Sequence, residues 1–122
     1  VVRASRAGEY FELLDESPFM LLAPHVKPEW RDRLPAITHV DGTSRVQALA
    51  EADNPRLYGL LGAFEARVGV PMLVNTSFNQ RGEPIVCTPE DALACYQRSG
   101  MDALVIGDFL VQKVDRPEGP QG

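Results

Sequence analysis

The chain has 122 residues, 44% of them hydrophobic and 24% charged, with a formal net charge of −5, which suits one water-soluble domain burying about two-thirds of its unfolded surface. No apolar run approaches the roughly 20 residues of a membrane-spanning helix, and the acidic balance repels a polyanion at long range. Membrane and nucleic-acid partners are therefore not expected, and a cytoplasmic module is.

Among the 12 basic residues only Lys27 and Lys113 are lysines, so Arg dominates and favours bidentate contacts with oxyanions. Cys87 and Cys95 lack CxxC spacing, and only His25 and His39 could join them. No intrinsic metal site is expected, and both thiols read as buried and free.

Val1-Val2-Arg3 opens the chain without a methionine or a leader pattern, so residues 1–16 read as lead-in from a longer parent, 17–114 as the functional domain and 115–122 as a disordered tail. Tyr10 to Leu14 is a weak helical cluster. Ser17 to Ala23 reads as a buried strand or extended segment, Pro28 to Asp32 as a helical turn with Pro at its start, and Pro35 to Val40 as extended. Asp41-Gly42 then signals a two-residue hairpin pairing 36–40 with 43–49. In that register Val40 faces Thr43, His39 faces Ser44 and Thr38 faces Arg45. Arg45 thus falls on a polar face able to line a pocket, and His39 on the apolar face as a core histidine; a bulge at the turn would reverse this.

Asn54 and Pro55 start a helix whose Leu57, Leu60, Leu61, Phe64 and Val68 form one apolar core stripe, ending at Gly69. Pro71 to Val74 is a short strand. Thr88-Pro89-Glu90-Asp91 starts a second helix, closed by Gly100. Residues 103–106 and 110–112 are the last strands, joined around Gly107-Asp108. Alternating strands and helices give an α/β or α+β fold.

The densest chemistry lies in LVNTSFNQRGEPIV, Leu73 to Val86. An apolar strand runs into Asn75, Thr76, Ser77, Asn79, Gln80 and Arg81, before Gly82 and Pro84 restart the chain. Ligands gather at the carboxyl ends of strands in open α/β sheets, and these hydroxyls, amides and a guanidinium fork suit an anionic, nucleotide-like ligand. Gly82 reads as a backbone requirement, and Glu83 as a group that could orient Arg81. The plain alternative is an Asx or Ser/Thr turn without a ligand. No residue reads as catalytic: Ser77 as a nucleophile would want a base, and only His39 is available.

THVDGTSRVQ (Thr38 to Gln47), VNTSFNQRGEPIVCTPEDAL and DALVIGDFLVQK together resemble the carboxyl-terminal domain of the NodU/CmcH-type O-carbamoyltransferases, from about Ser17 to Lys113. The resemblance implies a YrdC-like twisted mixed sheet with flanking helices, present as an incomplete domain. Ser77-Phe78-Asn79 is similar to the Ser-x-Asn element with which YrdC-like proteins hold an adenylate; their Lys-x-Arg partner has no counterpart here. The implied reaction joins ATP, with Mg2+, and carbamoyl phosphate into a carbamoyl-adenylate. An actin-like ATPase-fold domain of the same parent, with iron or another metal expected only there, then transfers carbamoyl to a small-molecule hydroxyl. Arg45, Ser77, Asn79, Arg81, Asn75 and His39 are the expected adenylate ligands. Two alternatives stand beside this reading: threonylcarbamoyl-adenylate synthesis, and a non-catalytic nucleotide-binding or docking module. These 122 residues alone are expected to be inactive, and to self-associate through an unpaired edge or apolar face.

Overall fold

A computed structural model describes residues 1–12 and 17–114. They form two compact units, Val1–Asn75 and Thr76–Gly122. The tail expected over 115–122, and the last residues of the helical cluster expected over 10–14, lie outside the described residues.

The first unit is organised around its first residues. β1 (Val2–Arg3) runs parallel to β2 (Ala48–Leu49) and antiparallel to the chain at Met72. Backbone bonds from Val2 N to Gln47 O (2.9 Å) and from Leu73 N to Val1 O (3.0 Å) hold this three-segment layer. A second set of extended segments pairs Phe11 with Val26 and His25 with Thr43. α1 (Ala4–Tyr10), which the apolar pattern did not signal, leads into Phe11. Tyr10, Phe11, Val26, Leu34, Val46, Ala48 and Met72 close a common core with Val2, and burial of such side chains is the main force holding so small a unit together. α2 (Pro28–Arg31) begins with Pro at its start as expected.

α3 (Pro55–Val68) has the expected Asn54 cap, whose side chain accepts from Leu57 N at 3.0 Å, and ends at Gly69. Its apolar stripe is not a continuous core. Leu61 is fully buried, but Leu60 is 55% and Val68 50% exposed. The face that does engage the unit carries charge: Glu65 receives both Arg3 and Arg6.

Two further expectations are corrected here. Ser17 to Ala23 is not a buried strand: Pro18 and Phe19 make a turn, Met20 takes φ +56, and Leu21 and Leu22 are exposed. Only Ser17 is inside, donating its hydroxyl to Val46 O at 2.9 Å. The Asp41-Gly42 turn is also not the two-residue hairpin. His39 N donates to Thr43 O (2.8 Å) and Gly42 N to His39 O (2.9 Å), with Gly42 at φ +81. That is the three-residue loop in which a turn is followed by a glycine in the left-handed region, a bulge that moves the register by one. His39 therefore stands across from Thr43, its Nδ1 3.1 Å from the Thr43 hydroxyl.

In the second unit α4 (Pro89–Arg98) starts with a reciprocal capping box between Thr88 and Asp91. It packs Ala92 and Tyr96 against Leu104, with Phe78, Val86, Ile106 and Val111 around them. β3 (Ala103–Ile106) and β4 (Phe109–Gln112) form the expected antiparallel hairpin, pairing Leu104 with Val111 and Val105 with Leu110. Cys95 is buried as expected, but Cys87 is exposed.

Candidate functional site

A cleft of about 260 Å3 opens in the first unit, with His39, Ser44, Arg45 and Asn75 among an otherwise mainly apolar lining that includes Met20, Ile37, Val46 and Met72. The bulge at Gly42 gives this cleft its polar side. One step of register brings His39 to the same side as Arg45, so the core-histidine assignment for His39 is overturned; its ring is exposed at the cleft.

Arg45 is exposed and makes no hydrogen bond or ion pair among the described residues. It sits between buried Ser44 and Val46, which fix its backbone. Its five N–H donors form a planar fork of the kind that suits an oxyanion. Among the described residues no carboxylate lines the cleft. The nearby Asp41 is engaged by its own turn, accepting from Thr43 N (2.9 Å) and from the Thr43 hydroxyl (2.7 Å). Those two bonds, the hydroxyl first, hold the Asp41 carboxyl below its ordinary range.

Asn75 reaches the cleft from the end of the segment that pairs with β1. Its amide Nδ2 donates to Gln47 Oε1 at 2.8 Å and lies 3.7 Å from Met20 Sδ. Met20 occupies the left-handed region at φ +56, a conformation that costs about 1–2 kcal/mol for a residue with a Cβ. It is also part of the cleft wall.

Ser77, Asn79 and Arg81 belong to the second unit. The Ser77 hydroxyl donates to Asn79 Oδ1 at 2.6 Å. The Asn79 amide in turn donates to the carbonyls of Gln80 (3.3 Å) and Glu83 (3.0 Å). Asn79 thus braces a turn closed by Glu83 N on Gln80 O, with Gly82 at the expected positive φ of +85. Arg81 is exposed at the apex and without an ion pair among the described residues. Glu83 does not orient it, because Glu83 is taken by Arg98 at 3.1 and 3.2 Å. The sequence expectation overlooked Arg98 because the pair spans the start of α4. The resulting loop presents a hydroxyl oxygen and an exposed guanidinium on a braced backbone.

Among the described residues no group of three or more His, Cys, Asp or Glu side chains comes together to hold a metal, and no helix is long and apolar enough to cross a membrane.

A small chain of mixed helices and short sheets, with a cleft that carries an exposed arginine, is the class defined so far. Residues 1–113 match the family model described as the carbamoyltransferase C-terminus, and the chain belongs to that family. It is 43% identical to the nodulation protein NolO of Bradyrhizobium diazoefficiens, over 88% of this chain and 20% of NolO. It is 36% identical to the 3'-hydroxymethylcephem-O-carbamoyltransferase of Amycolatopsis lactamdurans, over 94% of this chain and 22% of that enzyme. An uncharacterized Synechocystis protein is 44% identical over 98% of this chain and 23% of its own length. The chain thus spans about a fifth of the length of these relatives.

Proposed function

We propose that the chain is the nucleotide-binding part of an O-carbamoyltransferase, which forms or holds a carbamoyl-adenylate made from ATP and carbamoyl phosphate. The observation that carries this reading is Arg45, without a partner among the described residues, in one cleft with His39 and Asn75, in a chain of the carbamoyltransferase family. Charge develops on the α-phosphate and on the departing pyrophosphate when an adenylate forms, and fixed donors at those oxygens lower the barrier. Arg45 supplies the charge and a fork of donors, Asn75 a neutral amide, and His39 its Nε2, since Nδ1 is engaged with the Thr43 hydroxyl. Ser77 and Arg81 lie in the second unit and are further candidate ligands tested on their own, with Asn79 holding their turn.

Atom balance constrains the route. An adenylate oxygen bonded to both the carbamoyl carbon and the α-phosphorus requires that carbamoyl phosphate first lose its phosphate to water. The carbamate oxygen then displaces pyrophosphate. Because the described residues offer the cleft no carboxylate, Mg2+ accompanying ATP would be carried by the phosphates and water, the usual arrangement for this reluctantly dehydrated ion. Transfer to an acceptor hydroxyl, and any resident metal, would fall to an actin-like ATPase-fold domain of a longer parent chain.

The test is pyrophosphate release from ATP that depends on carbamoyl phosphate, measured on the full-length protein. Arg45→Ala is expected to lower it at least about tenfold, the loss of one charge-assisted contact, with thermal unfolding unchanged. An unchanged rate in Arg45→Ala, His39→Ala and Asn75→Ala alike would sink the reading.

A further inference from the structure

We infer that His39 is the base that takes a proton from the water attacking carbamoyl phosphate, with Thr43 and Asp41 as positioning residues that fix its tautomer. The assignment rests on the adenylate reading above. Three contacts in the Gly42 bulge decide the tautomer. Asp41 Oδ1 lies 2.7 Å from the Thr43 hydroxyl oxygen and 2.9 Å from Thr43 N. An ionised carboxylate only accepts, and the same bonds hold the Asp41 carboxyl below its ordinary range. Near neutral pH the single hydroxyl proton of Thr43 therefore lies on the line to Asp41. The Thr43 oxygen then has only lone pairs to offer His39 Nδ1 at 3.1 Å. Nδ1 must bring the proton to that bond, so the neutral ring is protonated at Nδ1 and carries its free lone pair at Nε2. A ring turned over would set a C–H against the Thr43 oxygen and lose the bond.

A neutral imidazole with an open Nε2, in one cleft with a guanidinium, suits hydrolysis of a phosphate ester or anhydride better than plain anion binding. The adenylate reading needs such a step, because carbamoyl phosphate must lose its phosphate to water before carbamate can attack ATP. Among the side chains lining the cleft, His39 is the one of a type that serves as a general base. Arg45 suits the phosphate oxygens and Nε2 the water. The water oxygen bonds to the carbonyl carbon while the bond from that carbon to the bridging oxygen breaks, its electron pair leaving with phosphate. Nε2 takes the first water proton, and the second passes from the nascent carbamic acid to phosphate. Carbamate, hydrogen phosphate and a protonated His39 result, and the new Nε2–H is then a donor for the oxyanions of ATP. The charged or titratable groups about His39 are Asp41 on its own turn, Arg45 and the Val1 amino group lining the same cleft, and His25, whose backbone bridges to Thr43.

Two sources of the carbamoyl unit separate a base from a plain ligand. Pyrophosphate release from ATP by the full-length protein is followed with carbamoyl phosphate and with ammonium carbamate, which bypasses the water step. His39→Gln keeps an N–H donor but removes the base. It is expected to lose at least about a hundredfold with carbamoyl phosphate, the usual scale of general-base catalysis, and less than about tenfold with carbamate, the scale of one contact. Equal losses with the two sources would make His39 an anion ligand and overturn its role as base. Thr43→Ser keeps the hydroxyl and is expected to keep most of the rate with carbamoyl phosphate, whereas Thr43→Val is expected to lower it at least about tenfold through the wrong tautomer. Imidazole nitrogen NMR shifts of histidine-labelled protein, with the His39 signal identified by its loss in His39→Gln, read the tautomer directly. The neutral ring is expected to be protonated at Nδ1 in the wild type and in Thr43→Ser, but not predominantly so in Thr43→Val. A wild-type ring protonated at Nε2, or a Thr43→Val ring still protonated at Nδ1, would overturn the positioning by Thr43 and Asp41. Wild-type release with carbamate but not with carbamoyl phosphate would overturn the base and leave the adenylate site standing. Release with neither source would overturn the adenylate reading, and this inference with it.

Discussion

Gly42 decides which groups face the cleft. At φ +81 it closes the bulge that brings His39 across from Thr43, and a Cβ there would stand 3.0 Å from Arg31 Cζ, whose guanidinium is tied to Val26 O at 2.9 Å. Gly42→Ala is expected to cost about 1–2 kcal/mol from the left-handed backbone, read as a lower thermal midpoint. Asp41, beside it, gives a pH dependence whose sign is fixed. Its folded pKa lies below the ordinary 3.8 because it accepts from the Thr43 hydroxyl and N–H. Stability from this group is therefore complete above that ordinary value and is lost as the pH falls through the folded one. Amide exchange at Thr43 should accelerate on acidification in the wild type, and Asp41→Asn, which still accepts from Thr43 N, should flatten that response. Identical profiles would contradict the account. At this scale the Asp-Gly pair announced a tight turn, but a loop of two residues and one of three share that signal, and only the backbone bond from His39 to Thr43 distinguishes them. Of the candidate ligands named from the sequence, Arg45, His39 and Asn75 line one cleft, His39 only through the bulge, while Ser77, Asn79 and Arg81 belong to the second unit.

Local chemistry set the helices more firmly than it set the strands. Asn54-Pro55 and Thr88-Pro89 both cap the helices they were expected to start, because a cap needs only side chains within a few residues. Thr88→Ala removes the hydroxyl that accepts from Asp91 N, while the backbone N–H of residue 88 still donates to the Asp91 carboxylate, and is expected to destabilise by about 1 kcal/mol, seen as a shift in urea midpoint with unchanged slope; no shift would remove the cap from the account. The last hairpin was equally readable from 103–106 and 110–112 around Gly107-Asp108. The extended pieces of the first unit were not, because their pairings join residues such as Val2, Ala48 and Met72 that no local pattern connects. The stripe on α3 shows the limit of periodicity. Spacing says which residues share a face, but it does not say what covers that face, and at Leu60 and Val68 the described residues cover little.

For the molecule as a whole, exposed apolar surface is the complement of what the relatives show. Val105 and Leu110 are paired across the hairpin and are 72% and 64% exposed, on the face opposite the one that packs on α4. Such a patch on a two-stranded sheet with free edges favours association. These 122 residues are expected to sediment with a concentration-dependent mass, and Val105→Glu with Leu110→Glu is expected to return them to monomer without unfolding; a wild type that stays monomeric throughout would contradict this. The chain matches about a fifth of relatives such as NolO, so turnover is expected of the full-length protein, and the nucleotide affinity proposed for the cleft is tested there. The most direct measurement is equilibrium binding of AMP to the full-length protein and to Arg45→Ala and Arg45→Lys. The account expects wild-type binding, a loss of at least about tenfold in Arg45→Ala and only partial recovery in Arg45→Lys, which restores charge without the fork. Equal affinity in all three proteins would contradict it.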